Sequence, residues 1–264
     1  MHLPNAHQKS LAHQKAASDW YRCYVPQPAA KVRMFCFPHA GGAASYYRGW
    51  GREARPGAEL LVAQYPGRED RLLDDPIGDL NELADLATGA LLRSADRPYV
   101  LFGHSMGALV AFEVALRMAQ SGRPPLHLVV SAQNAPGRRT PSALHLADDV
   151  ELLRELDELG GTNAQVTAEP ELLELLLPAL RSDYRAVETY RPRPAALLTC
   201  PVTAVYGDRD PHVDVAGMDA WSEVTAAGAE ALPFDGDHFY LRARAPELLA
   251  TIAARTPGWG QRSI

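Results

Sequence analysis

Apolar segments of strand length alternate along the chain with segments of helical periodicity. The strand-like runs are continuously apolar rather than alternating, which indicates strands buried on both faces. The runs predicted as strands are 32–37, 59–65, 99–103, 126–132, 201–207 and 229–234. Helical segments are predicted at 45–54, 79–94, 105–120, 214–226 and 246–255. This order predicts an α/β fold, with a mostly parallel sheet flanked by helices.

The alternation is interrupted between about residues 137 and 194, where only helical segments are predicted. An insertion of this size above the strand ends is placed to be a lid. Its first half is acidic, and its second half is richer in arginine, at Arg181, Arg185, Arg191 and Arg193. Solvated helix faces are the ordinary explanation for such charges.

Composition narrows the class of protein. The chain has 264 residues, is 47% hydrophobic and carries a formal net charge of -6, which argues against non-specific nucleic-acid binding. Its three cysteines are far apart and form no C-x-x-C pair, so we expect a reducing compartment and no zinc site. Residues 1–18 are predicted to be a flexible polar tail before a domain at 19–264. With no apolar stretch of membrane-spanning length, a cytoplasmic protein that binds no membrane is expected.

One predicted strand-to-helix junction contains a serine between two glycines. The segment Gly103-His104-Ser105-Met106-Gly107 fits G-x-S-x-G, and the buried run ends where the helical segment begins. This context is typical of a nucleophile on a sharp turn, where glycines let strand and helix approach closely. We therefore predict that Ser105 is a nucleophile, with an ordinary turn as the alternative. His104 is expected to pack in the interior.

A serine nucleophile needs a general base that is held by an acid, and α/β-hydrolases place these after the serine in the order acid, then histidine. Asp208 and Asp210 lie just past one predicted strand, and His238 follows the next. His238 is the predicted base, because it lies on a loop downstream of both the serine and the aspartates. Asp210 is favoured over Asp208, because the loop must clear the strand end before reaching the histidine.

Acyl transfer also requires hydrogen-bond donors for the oxyanion. The backbone N–H of Met106, directly after the nucleophile, is one predicted donor. The second is expected from the loop after the first long strand, where residues 39–42 read HAGG and the glycines let the backbone turn an amide toward Ser105. We choose Ala40 N–H, with Gly41 as the alternative.

With these segments placed, the chain resembles the type II thioesterases that accompany polyketide synthases and non-ribosomal peptide synthetases. The matching segments are FPHAGG (37–42), YPGRED (65–70), FGHSMGAL (102–109), YGDRD (206–210) and GDHFYL (236–241). They occur in the family's order and spacing from about residue 21 to residue 255. The insertion is similar to the family's lid, including PALRSDYRAVETY (178–190).

The resemblance implies an α/β-hydrolase fold with a helical lid, Ser105 as nucleophile, Asp210 as orienting acid and His238 as base. It implies Ala40 and Met106 as the oxyanion donors. The implied substrates are acyl groups on the phosphopantetheine arm of an acyl carrier protein or peptidyl carrier protein. The implied task is editing, the removal of stalled or wrongly primed acyl units. A monomer without metal or organic cofactor is expected.

Two groups of residues, in the lid and beside it, extend this expectation to the carrier and to the acyl chain. Carrier proteins are usually acidic, so the arginine-rich second half of the lid is a candidate docking surface. Apolar side chains that could line the acyl site are Met106, Phe239, Leu175 and Leu176, although core packing is the ordinary role of such residues.

Three other functions stay open from the sequence. The fold and the three catalytic residues also permit an esterase or lipase-like enzyme that acts on free esters. A product-releasing thioesterase is usually fused behind a carrier domain, and this chain lacks a G-x-D-S-[LI] attachment segment, which favours a discrete editing enzyme. A non-catalytic binding protein is disfavoured, because such scaffolds usually lose a member of the triad.

Overall fold

A seven-stranded sheet organises the part of the chain that the computed structural model describes, residues 20–54, 57–138, 141–159, 169–192 and 197–259. The strands are β1 (Tyr21–Arg22), β2 (Val32–Phe37), β3 (Ala58–Ala63), β4 (Tyr99–His104), β5 (His127–Ser131), β6 (Val202–Gly207) and β7 (Ala229–Phe234). Their spatial order is β1-β3-β2-β4-β5-β6-β7. Only the short β1 runs antiparallel to its neighbour, and all other pairs are parallel. The predicted tail at 1–18 lies outside the described residues.

Helices cover both faces of this sheet. They are α1 (Trp50–Glu53), α2 (Leu80–Ser94), α3 (Met106–Gln120), α4 (Asp149–Glu158), α5 (Pro170–Thr189), α6 (Val215–Asp219) and α7 (Ala245–Arg255). One hydrophobic core lies where α2 and α3 pack on the sheet, and the other lies where α1 and α7 pack on the opposite face. Burial on both faces explains why the central strands are continuously apolar. The predicted α/β fold with a mostly parallel sheet is confirmed.

Most predicted elements are confirmed to within two residues, and the differences have local causes. The strand β1 was not predicted, because two residues show no periodicity. β3 ends at Ala63, two residues before the predicted end, and the side chain of the next residue, Gln64, accepts from Ala44 N–H at 2.9 Å and donates to Arg68 C=O at 3.0 Å. The predicted helix 45–54 is a 3-10 turn, Ala44–Tyr47, followed by the four-residue α1. Glycines 49 and 51 disfavour a longer helix there.

The regular elements described in the insertion are all helical, and the C-terminal end of α5 is joined to the body. Within the insertion, Glu188 near the end of α5 is buried and accepts from Ser142 Oγ at 2.6 Å and from Leu144 N–H at 2.8 Å, which ties the helix to the segment that follows β5. Just beyond the helix, the Tyr190 hydroxyl donates to the buried Glu113 of α3 at 2.7 Å. The N-terminal half of α5 is different, because several of its leucines are partly exposed. Among the described residues of the insertion, α4 and this half of α5 make no comparable buried hydrogen bond to the body.

The described residues contain neither a membrane-spanning helix nor a disulfide. No helix in the described ranges is long and apolar enough to cross a bilayer. Cys23, Cys36 and Cys200 are all free thiols, and the last two are buried. Burial raises the pKa of Cys200 to about 11, so this thiol packs as an uncharged apolar group.

Candidate active site

Ser105 occupies a strained turn between β4 and α3. Its backbone has φ 55° and ψ -121°, a conformation with positive φ that L-residues rarely adopt. Its N–H donates to Ser131 C=O at 2.8 Å, which holds the turn against β5. The flanking glycines are required by close backbone approach. A Cβ on Gly103 would lie 2.0 Å from Gly107 O, and a Cβ on Gly107 would lie 1.9 Å from Phe37 O.

His238 and Asp210 meet beyond the ends of β6 and β7. The His238 Nδ1 lies 2.7 Å from Asp210 Oδ2, and both side chains are almost fully buried. The other carboxylate oxygen of Asp210 accepts from His212 N–H at 2.9 Å, which fixes the plane of the carboxylate. Since Nδ1 is engaged by the carboxylate, Nε2 is the ring nitrogen left for proton transfer. Asp208 instead accepts from Gly236 N–H at 3.0 Å and so braces the loop that carries His238.

One cavity brings the predicted site residues together. Ser105, Met106, His238 and Ala40 all line a space of about 400 Å³ under the lid. Met106 is the first residue of α3, and the N–H of a first helical residue has no acceptor within its own helix. Its amide is therefore available to a bound group. The structure thus brings Ser105, Met106, His238 and Ala40 to one place, with Asp210 directly behind the histidine.

The loop of residues 39–42, here called the HAGG loop, has two of its amides engaged. Gly41 N–H donates to Asp183 Oδ2 at 2.8 Å, and Gly42 N–H donates to His39 C=O at 2.9 Å. The hydrogen bonds of the described residues include none from Ala40 N–H. Of the two donors left open by the sequence, Ala40 is thus the one whose amide is not already bound to a protein acceptor.

Sequence reasoning missed the ion pair beneath this loop. Arg68 and Asp183 pair through two hydrogen bonds of 2.7 and 2.9 Å, and their side chains are 3% and 1% exposed. Arg68 comes from the YPGRED segment and Asp183 from α5, 115 residues apart in sequence. The signal that could have pointed to it is a charged residue in each of two segments that otherwise match the family motifs.

A second network supports the turn that carries the serine. His104 is fully buried, as expected, and its Nδ1 lies 2.9 Å from Ser131 Oγ. The Ser131 hydroxyl is in turn 2.8 Å from Tyr240 OH. Burial, together with the neighbouring His238, lowers the pKa of His104 well below its usual range, so this ring is neutral. It therefore packs beside His238 without adding charge.

A separate apolar cavity of about 370 Å³ lies between the lid and the HAGG loop. Leucines of α4 and α5 form one side of its wall: Leu153, Leu156, Leu173, Leu176, Leu177 and Leu180. The HAGG loop, Phe239 and the segment after the loop line the rest, with Arg242 as the one charged lining residue among those described, and Ala40 borders both this cavity and the one that contains Ser105. Leu175 does not belong to this wall, because it lies on the outer side of α5 and is 48% exposed.

The lid also contacts the loop of the acid. Glu155 of α4 lies 3.2 Å from His212 Nε2, two residues after Asp210. Both residues line the cavity of Ser105, so this contact is made at its edge. Among the described residues, no group of three histidine, cysteine or carboxylate side chains is arranged to hold a metal ion.

Comparisons with known proteins agree with this arrangement. A family model described as a thioesterase domain matches residues 32–256. A probable cadicidin biosynthesis thioesterase of Streptomyces griseus is 43% identical over 225 residues, or 85% of this chain and 62% of that protein. This chain thus spans a little under two thirds of that relative. Thioesterase PikA5 of Streptomyces venezuelae is 40% identical over 241 residues, or 89% of this chain and 84% of that protein.

Solved structures extend the likeness to three dimensions. The type II thioesterase BorB from the borrelidin biosynthetic cluster is 43% identical and has a TM-score of 0.84, over 90% of this chain and 97% of that one. YbtT, a type II thioesterase from the yersiniabactin pathway, is 30% identical with a TM-score of 0.83, over 90% and 98% of the two chains. The chain therefore belongs to the thioesterase family of α/β-hydrolases, in the group that contains the type II thioesterases of polyketide and non-ribosomal peptide pathways.

Proposed function

We propose that this protein is a serine thioesterase that removes acyl groups from the phosphopantetheine arm of an acyl carrier protein or peptidyl carrier protein. The acyl groups would be stalled or aberrant units in polyketide or non-ribosomal peptide synthesis. One observation carries the proposal: the residues Ser105, His238, Ala40 and Met106 border a single cavity under a lid. The names of the similar proteins support the choice of a thioester over a free ester.

The first half of the reaction forms an acyl-serine. His238 Nε2 takes the proton of Ser105 Oγ as the oxygen attacks the thioester carbonyl. Asp210, bound to Nδ1, keeps the ring in the tautomer that has a free Nε2 and stabilises the imidazolium. Ala40 N–H and Met106 N–H donate to the carbonyl oxygen as it becomes negative. The C–S bond then breaks, and the pantetheine thiol leaves with the proton from His238.

The second half releases the acid. His238 takes a proton from a water molecule, the hydroxide attacks the acyl-serine carbonyl, and the same two amides hold the second oxyanion. Ser105 leaves with the proton from His238, which restores the resting enzyme. Each step uses only protons and electron pairs supplied by substrate, water and protein, so the proposal needs no cofactor.

The apolar cavity beside the HAGG loop is suited to the acyl chain. It borders Ala40, so a chain lying in it would leave the carbonyl near Ser105. Its leucine walls would favour an alkyl chain over a charged one, because burying methylenes is favourable by about 0.8 kcal/mol each. Phe239 and Leu176 stand in that wall as candidates, and Met106 lines the neighbouring cavity.

The proposed carrier would approach from the outside of the lid, but not every arginine there is available to it. Arg181 donates to His145 C=O at 2.9 Å, to Ala147 C=O at 2.6 Å and to Asp149 at 2.7 Å, so it fastens the lid internally. Arg185 is exposed and is the better candidate for contacting an acidic carrier. Arg193 lies outside the described residues. In this proposal the enzyme is a monomer and works in the cytoplasm, together with its carrier protein.

The decisive experiment loads a butyryl group on a phosphopantetheinylated carrier protein and follows its loss by intact-protein mass spectrometry. Wild type is compared with Ser105→Ala, and free butyryl-pantetheine and p-nitrophenyl butyrate are run in parallel. We expect fast loss from the carrier that disappears in Ser105→Ala, with slower turnover of the two free substrates.

The parallel substrates separate the alternatives. A preference for p-nitrophenyl butyrate would indicate an esterase, and a cyclised or full-length product released in place of short acyl units would indicate a product-releasing thioesterase. Failure of Ser105 to label with a fluorophosphonate in folded wild-type protein would indicate a non-catalytic binding protein. Each of these results would refute the proposed function.

A further inference from the structure

The buried ion pair of Arg68 and Asp183 lies directly against the HAGG loop and away from the reacting atoms. Its two hydrogen bonds form a parallel pair between guanidinium and carboxylate, an arrangement with strict geometry. A buried ion pair is seldom a net source of stability, because desolvation offsets its attraction. Its presence at this position therefore calls for an explanation other than stability.

Both members of the pair also bind the HAGG loop. Asp183 Oδ2, already bonded to Arg68, accepts from Gly41 N–H at 2.8 Å. Arg68 Nη1 donates to Gly42 C=O at 3.1 Å, and its Nε donates to Pro66 C=O at 3.2 Å. The pair thus bonds to one amide and one carbonyl of consecutive residues in the loop. These bonds fix the orientation of both peptide planes.

The next peptide toward the N-terminus contains the proposed oxyanion donor. Gly41 has φ +72°, a conformation that turns the chain sharply and that is held in place by the bond to Asp183. If that bond were lost, only the turn bond from Gly42 N–H to His39 C=O would restrain Gly41, which has no Cβ to limit its rotation. Rotation there would move Ala40 N–H away from the carbonyl oxygen of the substrate.

We infer that Arg68 and Asp183 are positioning residues for thioester hydrolysis, which hold the HAGG loop so that Ala40 N–H faces the developing oxyanion. The inference rests on the proposed function. It assigns a task to the YPGRED and PALRSDYRAVETY segments, which supply the two charges. It also makes α5 part of the catalytic support, since Asp183 belongs to the half of that helix joined to the body.

The test separates the acceptor for Gly41 from the buried charges. The double variant Arg68→Met/Asp183→Asn removes both charges but keeps a side-chain oxygen for Gly41 N–H. The double variant Arg68→Met/Asp183→Leu removes the charges and that oxygen together. Neither leaves an unpaired buried charge, which a single substitution would do at a large cost in stability.

We expect the asparagine double variant to keep kcat for butyryl-pantetheine within about fivefold of wild type. The leucine double variant should lose about 10- to 100-fold in kcat with KM changed less than threefold, somewhat less than complete removal of an oxyanion donor. A second readout is binding of propyl trifluoromethyl ketone, whose adduct with Ser105 carries an oxyanion. Its affinity should fall with kcat, whereas affinity for the non-hydrolysable butyryl-pantetheine amide should stay unchanged.

Glu113→Gln is the matched control. Glu113 is also a buried carboxylate that fastens the end of α5, through Tyr190, but it does not touch the HAGG loop. It should lower stability without lowering kcat. Equal kcat in the two double variants, or an equal loss of kcat in Glu113→Gln, would overturn the inference while leaving the proposed function intact. Absence of thioester hydrolysis in wild type would overturn both.

Discussion

The strained backbone at Ser105 predicts an opposition between activity and stability at this position. Ser105 has φ 55° and ψ -121°, where every L-residue meets steric repulsion and glycine does not. We therefore compare Ser105→Gly with Ser105→Ala. Both remove the hydroxyl and should abolish thioester hydrolysis, but only glycine removes the Cβ that causes the strain.

The magnitude follows from two opposing terms. A residue held at such a sparsely populated φ/ψ costs about 1–3 kcal/mol. Replacing alanine by glycine costs about 0.4–1 kcal/mol through the entropy of the unfolded chain. Loss of the Cβ removes little packing, because the Ser105 side chain borders the open cavity. Ser105→Gly should therefore be more stable than Ser105→Ala by about 1–2 kcal/mol, a Tm difference of roughly 2–8 °C.

The assay is urea and thermal unfolding of both variants, with the same pair of substitutions at Ser121 as control. Ser121 ends α3 with φ -82°, where glycine relieves nothing, so there Ser121→Ala should be the more stable variant. The reasoning is refuted if Ser105→Gly is no more stable than Ser105→Ala, or if the order of stabilities is the same at the two positions.

Three further outcomes follow from contacts already described. Gly107→Ala should fail to fold or lower the free energy of unfolding by at least about 3 kcal/mol, because its Cβ would lie 1.9 Å from Phe37 O. Gly49→Ala, with open space around the new Cβ, should change this free energy little, and urea unfolding tests both variants. Burial lowers the pKa of His39 to about 3, so the unfolded chain gains a proton below about pH 6.5 that the native state does not, and stability is lost as the pH falls. Between pH 6 and pH 4.5, His39→Gln should reduce the pH slope of the unfolding free energy by about 1.4 kcal/mol per pH unit, and an unchanged slope would contradict this. Arg181→Glu should lower Tm without a specific effect on the KM for the carrier. Arg185→Glu should raise the KM for the carrier and leave Tm and the KM for butyryl-pantetheine unchanged. An unchanged KM for the carrier in Arg185→Glu would remove Arg185 from the docking surface.

The sheet was predictable because burial on both faces leaves a plain signal in sequence. β2 and β7 were predicted with their observed bounds, 32–37 and 229–234, since apolar runs between turn residues define such strands. β1 escaped because two residues at the sheet edge cannot show periodicity. The sequence predicted that the insertion is helical. It did not predict that one half of α5 is joined to the body while the other half lines a cavity.

The candidate site was predictable where motif and strand end coincide. Ser105 and His238 were both predicted from this rule, and the structure brings both residues to one cavity. The sequence favoured Ala40 as the second donor but could not exclude Gly41, because that depends on which amide finds a protein acceptor. That acceptor, Asp183, is remote in sequence, and no local pattern links it to the loop.

The two halves of α5 suggest why one helix carries both the acyl wall and the loop support. Before Pro178, Leu173, Leu176 and Leu177 face the apolar cavity; after it, Leu180 continues that wall and Asp183 holds the HAGG loop. Proline removes a backbone hydrogen bond at that point, so the first half can adjust to an acyl chain with less strain on the second. The proposed editing enzyme would benefit from this separation, because adaptation of the wall before Pro178 need not move the proposed oxyanion donor.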